Sequence, residues 1–285
     1  MEYAIEVENL NKKYKKFKLD NVSFKIPKGS IMGFIGENGA GKSTTIKAIL
    51  NLIKKDSGNI KILGEEVIGD SRKTKENLGI VLDSGNFYEK LNIKSINKIM
   101  KNIYKRWNEN DFYRYIERFN IDDSKKIEEF SRGMKMKLSI AVVLSHNAKI
   151  LILDEATSGL DPVVRDEILD IFMEFIQDEE NSILISSHIT SDLQKIADYI
   201  TFIHEGKILF SENKDKLIYD MGIVKCTESD FRNIEKEDRI YYKKGAFSYE
   251  VLVKNKYEFS KKYLKLIIDN PNIEEIMLFY IKGEK

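Results

Sequence analysis

Gly36-Glu37-Asn38-Gly39-Ala40-Gly41-Lys42-Ser43-Thr44 follows the apolar run Ile31-Met32-Gly33-Phe34-Ile35 and precedes a segment with helical spacing. Gly36, Gly39 and Gly41 permit backbone turns that a side chain would block, so successive amides can converge on a polyphosphate at a helix N-terminus. Lys42 is placed to reach terminal phosphates, and the Ser43 hydroxyl to ligate Mg²⁺. Beyond the loop, Ile46, Ile49, Leu50 and Ile53 recur at i, i+3, i+4 and i+7, the stripe of a helix packed on a core. A strand, a phosphate cradle and a helix are therefore expected in that order.

The whole chain sets the bounds around this stretch. Its 285 residues suffice for one large domain or one and a half. Charged residues make up 33% of it, yet 47 Lys and Arg nearly cancel 46 Asp and Glu, which argues against a globally polybasic nucleic-acid binder. The single cysteine, Cys226, reads as a small buried apolar residue. It has no internal disulfide partner, and Met1-Glu2-Tyr3 lacks the form of a signal peptide, so a reducing, cytosolic setting is expected. The longest apolar runs, such as Lys149 to Leu153 and Ile140 to Leu144, are far shorter than the roughly 20 residues that span a bilayer. A membrane role would then be played from the surface.

Outward from the cradle, residues 5–28 read as two strands and a turn. Tyr14 sits there among four lysines and has two readings, packing on a sheet edge or stacking on a purine base. After the first helix come a short strand at Ile60 to Gly64 and another, Leu78 to Asp83, ending in an acid. Ile93 to Phe119 has helical spacing and reads as an insertion whose aromatic stripe is core. Ser131 and Gly133 are N-cap-like residues opening a helix through Leu144. Lys149 to Glu155 is an uninterrupted apolar strand ending in two carboxylates, as suits a parallel strand buried on both faces. Ser158-Gly159-Leu160-Asp161-Pro162 turns into a helix, and Ser182 to Ser187 is a strand with His188 just beyond its end. Glu205-Gly206 reads as a hairpin turn. Past Asp220, strands are expected at 223–226, 239–242 and 249–253, and helices at 257–268 and 273–281. The lysine runs at 12–13, 15–16 and 261–262 read as solvated faces.

Nucleotide hydrolysis needs a bound and neutralised phosphoryl group with water in line. Asp154 at a strand's C-terminal end is placed to hold Mg²⁺, directly or through water, and Glu155 is the natural general base or water-positioning group. His188, ending a neighbouring strand, is a candidate contact to the γ-phosphate or the attacking water, with a structural role as the plain alternative.

The cradle, the strand ending in Asp154-Glu155, the Ser131-Arg132-Gly133 helix start, Ser158-Gly159-Leu160-Asp161 and His188 occur in the order and approximate spacing of ATP-binding cassette (ABC) ATPases, and the chain resembles that family over about residues 2–210. The resemblance implies an α/β fold: a P-loop NTPase core of mainly parallel sheet flanked by helices, an N-terminal antiparallel β subdomain, a helical insertion at about 85–145 and, after an ATPase domain of 1–220, a small C-terminal α+β module at 221–285. It also implies ATP as nucleotide, Tyr14 as the adenine-stacking aromatic, Asp161 in a loop communicating between sites and His188 as the switch histidine. Two cassettes pair head to tail in the family, so Ser131 and the Gly133 backbone of one chain would cap the γ-phosphate held by Lys42 of the other. A second ABC ATPase subunit, most simply another copy, and a separate transmembrane permease are the implied partners, at the inner face of the cell membrane and without nucleic acid. Two departures stand out. The signature, usually Leu-Ser-Gly-Gly-Gln, reads Phe130-Ser131-Arg132-Gly133-Met134, a form similar to a branch of bacterial exporter cassettes. Asp83 stands where the family generally has a glutamine, and is expected to keep that residue's Mg²⁺ role. Phe87, Tyr88 and Trp107 of the insertion are either permease contacts or core. The expectation is an exporter ATPase subunit; the alternatives are a soluble ABC ATPase acting on nucleic acid or ribosomes, and a low-turnover regulatory cassette.

Overall fold

The computed structural model describes residues 2–69, 71–82 and 87–285. Alternating apolar and polar residues make β1 (Tyr3–Lys13) and β2 (Lys18–Pro27), which pair antiparallel. The fully buried β3 (Ile31–Ile35) runs through the cradle into α1 (Lys42–Ile49), followed by β4 (Ser57–Ile62), β5 (Glu65–Glu66), α2 (Arg72–Glu76) and β6 (Leu78–Val81). The insertion carries α3 (Ile93–Ile103), α4 (Glu109–Arg118) and α5 (Arg132–Leu144). Then come β7 (Ile150–Asp154), α6 (Pro162–Phe175), β8 (Ser182–Ser187), α7 (Thr190–Ile196), β9 (Tyr199–His204) and β10 (Lys207–Asn213). The C-terminal part holds β11 (Gly222–Cys226), α8 (Glu228–Asn233), β12 (Arg239–Lys244), β13 (Tyr249–Val253), α9 (Lys256–Lys262), β14 (Ile268–Asp269) and α10 (Ile273–Lys282).

The central sheet has the order β10-β9-β3-β8-β7-β6, parallel from β9 to β6 with β10 antiparallel at one edge. Side chains alternate across it. Ile31 and Ile35 of β3, with Ile183 and Ile185 of β8 and Leu151 and Leu153 of β7, point into the cluster built with the helices. Met32 and Phe34 point the other way, into a second cluster with α1 and the antiparallel sheet β2-β1-β4-β5. Every residue of β3, β7 and β8 is buried, which suits the apolar runs Ile31–Ile35 and Ile150–Leu153, while β8 buries Ser182, Ser186 and Ser187 beside its apolar residues.

Two expectations need correction. The spacing from 93 to 119 is broken at 104–108, where Asn108 accepts from the amides of Asn110 and Asp111 and starts α4 anew. The helix expected at 257–268 ends at Lys262: Phe259 and Tyr263 turn inward to the cluster around Val224 and Val251, and Ile268 pairs with Val224 as an edge strand. Helical spacing alone could not tell an inward turn from a continued helix. Ser131 is the N-cap of α5, accepting from the Met134 amide, whereas Gly133 lies inside the first turn.

The C-terminal sheet, β12-β13-β11-β14, is antiparallel. From it α10 reaches back to the central sheet: Ile273, Ile276 and Phe279 join the large cluster, and the Tyr280 ring meets Phe210 and Tyr241, each at 4.9 Å. Cys226 is buried. Trp107 packs on the core and donates to Asn97 at 2.8 Å, while Tyr88 is exposed.

His146, at the end of α5, is fully buried, stacked on Tyr104 at 3.9 Å and 3.0 Å from the Leu78 carbonyl. Burial pushes its imidazole below the ordinary 6.5, so the folded chain keeps it neutral where the unfolded chain takes a proton. Its contribution is complete above the unfolded value and is lost as pH falls below it. Urea unfolding at pH 7 and pH 5 should therefore show a larger loss for wild type than for His146→Phe, by at most about 1.4 kcal/mol per pH unit for one proton; equal losses would contradict the assignment.

Candidate functional site

Parallel register places the chemistry. Ile35 of β3 lies opposite Ser187 of β8, and Asp154 of β7 opposite Ser186, so the residues that follow the three strands emerge at one edge of the sheet. They are the cradle, Glu155 and His188. The cleft there, about 970 Å³, is lined by Glu37, Asn38, Gly39, Gly41, Lys42, Ser43 and Thr44 from the cradle, by Glu155, Ser158 and His188, and by Arg132 from the insertion. Gly41 takes φ +118, and a side chain there would run into Phe17, Leu19 and Ile203, so glycine is required.

Lys42 is buried, and its ammonium is held by the Gly36 carbonyl at 2.8 Å and by Glu155 Oε1 at 3.4 Å. The other carboxylate oxygen of Glu155 meets His188 Nδ1 at 2.6 Å. Glu155 itself adopts φ +55, a left-handed conformation rare for a glutamate, and its amide is tied to the Ser186 carbonyl at 3.1 Å. An unfavourable backbone angle is thus held by the neighbouring strand, as at many reactive positions. Asp154 is buried and does not itself line the cleft; its Oδ1 accepts from Ser186 Oγ at 2.5 Å.

The structure brings Lys42, Ser43, Thr44, Glu155 and His188 together. Gly36 is buried at the base of the loop, and Ala40 lines an adjoining cleft of about 600 Å³ shared with Tyr14. Tyr14 is exposed, with the Lys12 ammonium 5.5 Å from its ring centre. Ser131, Gly133 and Asp161 do not line their own chain's cleft; Asp161 caps α6, accepting from the Val164 amide. Asp83 lies outside the described residues. Among the described residues there is no group of three or more His, Cys, Asp or Glu that could cage a metal. A serine hydroxyl and a carboxylate completed by phosphate oxygens do suit Mg²⁺, which keeps few protein ligands. Sequence reasoning missed Ser186 as the partner of Asp154, Phe17 in both clefts and Arg132 in the wall. None has a local signal, because each depends on strands or loops meeting in space.

The family model described as ABC transporter matches residues 19–158, which span the cradle and Glu155. A lantibiotic transport ATP-binding protein of Streptococcus pyogenes, SrtF, is 36% identical over 74% of this chain and 91% of its own length. The chain belongs to the ATP-binding proteins of ABC transporters. As a member of this family it is an ATPase that binds ATP. The bacitracin transport ATP-binding protein BcrA of Bacillus licheniformis is also 36% identical, over 73% of this chain and 69% of its own. Among solved structures, cbiO1 of Clostridium perfringens, part of the ABC transporter complex cbiONQ, superposes with TM-score 0.64 at 25% identity, covering 76% of this chain and 91% of that one. Among the described residues of this ABC ATPase no helix is long and apolar enough to cross a membrane.

Lys42 is the one buried cation of the cradle, and its loss removes the charged donor that the loop itself aims into the cleft. Lys42→Ala should weaken ATP binding, measured by calorimetry, by at least about a hundredfold; binding within a fewfold of wild type would show that the cradle does not hold the phosphates.

Proposed function

We propose that this ATPase is the nucleotide-binding subunit of a bacterial exporter, peripheral on the inner face of the cell membrane, driving a separate permease by ATP-dependent pairing of two cassettes. The carrying observation is the junction of Lys42, Glu155 and His188 in one cleft, with contacts of 3.4 and 2.6 Å. In this reading the cradle amides and Lys42 bind the β- and γ-phosphates, and Tyr14 stacks on the adenine. Ser43 and Asp154 would hold Mg²⁺, with Asp83 added from the sequence; bound there, the ion neutralises charge on the phosphate oxygens. Glu155 orients water and accepts its proton, while His188 fixes the carboxylate that does so. Because Ser131 and Gly133 stand away from their own chain's cleft, a second copy supplies them as a lid over the γ-phosphate, with Asp161 between the two sites.

The likeness to proteins named for lantibiotic and bacitracin transport supports the transporter reading and makes that cargo class the first to test. Recovery of a polytopic membrane protein with the tagged chain from native membranes is expected; recovery of ribosomes or RNA instead would overturn the reading. Ser131→Arg should bind a non-hydrolysable ATP analogue as wild type does, yet fail to dimerise with it in sedimentation. Parallel loss of both properties would contradict the division of labour between the two chains.

A further inference from the structure

The start of α5 and the turn after β7 meet at a contact that the roles above leave unused. A methyl group on Gly159 would overlap Nη1 of Arg132 and lie 2.9 Å from its Cζ and 3.4 Å from its Nε, so the guanidinium fills the space beside that glycine. Gly159 sits at φ +68, where a side chain would be strained in any case. The same arginine faces the phosphate cleft with Glu155 and Ser158.

That turn is short and closed. The Ser158 amide donates to the Glu155 carbonyl at 3.1 Å, the Leu160 carbonyl accepts from Arg165 Nη2 at 3.2 Å, and Asp161 caps α6. With both its ends tied, the turn has few free torsions with which to take up a displacement at Gly159. At its other end Arg132 is the first residue of α5, directly after the capping Ser131. One planar guanidinium therefore links the helix start that carries the lid to the turn that carries the carboxylate.

We propose that Arg132 is a positioning residue for ATP hydrolysis in its own chain: seated on Gly159, it holds the Glu155–Asp161 turn so that the Glu155 carboxylate presents water to the terminal phosphate. This rests on the reading of Glu155 as the group that orients water. Arg132 acts through the turn, so its loss affects the rate of the chemical step and not the hold on ATP.

The test is steady-state hydrolysis of Mg²⁺-ATP by the full chain. Arg132→Ala should lower kcat about tenfold with KM for ATP within about twofold, and Arg132→Lys, a cation without the planar fork, should recover only part of the loss. Gly159→Ala should also lower kcat, and the double variant should be no more than about twofold worse than the poorer single variant, because the two changes disturb one contact. Thermal midpoints and analogue-driven dimerisation should stay at wild-type values in Arg132→Ala. The proposal is overturned by a wild-type kcat in Arg132→Ala, by a loss carried in KM, by failed dimerisation, or by multiplying effects in the double variant. A wild-type chain that turns over no ATP would instead remove the underlying reading, and this proposal with it.

Discussion

The parallel pairing of β3, β8 and β7 is the constraint on which the cleft depends. Ile35 opposite Ser187 and Asp154 opposite Ser186 bring three chain segments, far apart in sequence, to one edge of the sheet in a single register. A slip of one residue would turn Ile31 and Ile35 toward the antiparallel sheet and Met32 and Phe34 toward the helices, reversing both clusters at once. The apolar interior thus guards the register, and the register sets the distance from Lys42 to Glu155 and from Glu155 to His188.

Within that frame the site carries unfavourable features that the surroundings hold in place. A buried ammonium at Lys42 is compensated by a carbonyl of its own loop and by Glu155, and the left-handed Glu155 backbone by hydrogen bonds to Ser186. Ser186 serves twice, since its hydroxyl also meets Asp154. The middle strand β8 therefore acts as the splint for the two carboxylates, although its own residues carry no charge. The helix α7, which begins two residues after His188, is in turn met by α10, whose Ile273 amide donates to Gln194 at 3.4 Å.

What was legible in the sequence was what is local. The cradle, the apolar continuity of β7, and the Glu205-Gly206 turn, with φ +46 and +75, are each written within a few adjacent residues. The likeness to a known family then connected motifs that spacing alone could not relate. Illegible were the features made by distant segments meeting: Ser186 beside Asp154, Arg132 against Gly159, and the end of α9, where inward packing of Phe259 and Tyr263 and pairing of Ile268 outweigh helical spacing. Trp107, in the break between α3 and α4, illustrates the same limit, since its ring nitrogen is satisfied by Asn97 of α3.

In the proposed mechanism Glu155 is the group that acts on water once ATP is bound. Single-turnover hydrolysis by Glu155→Gln, a near-isosteric change that replaces the charged proton acceptor with a neutral amide, tests this most directly. The rate should fall by about a hundredfold or more while the affinity for ATP stays within about twofold of wild type. A rate equal to wild type, with ATP bound as tightly, would contradict it.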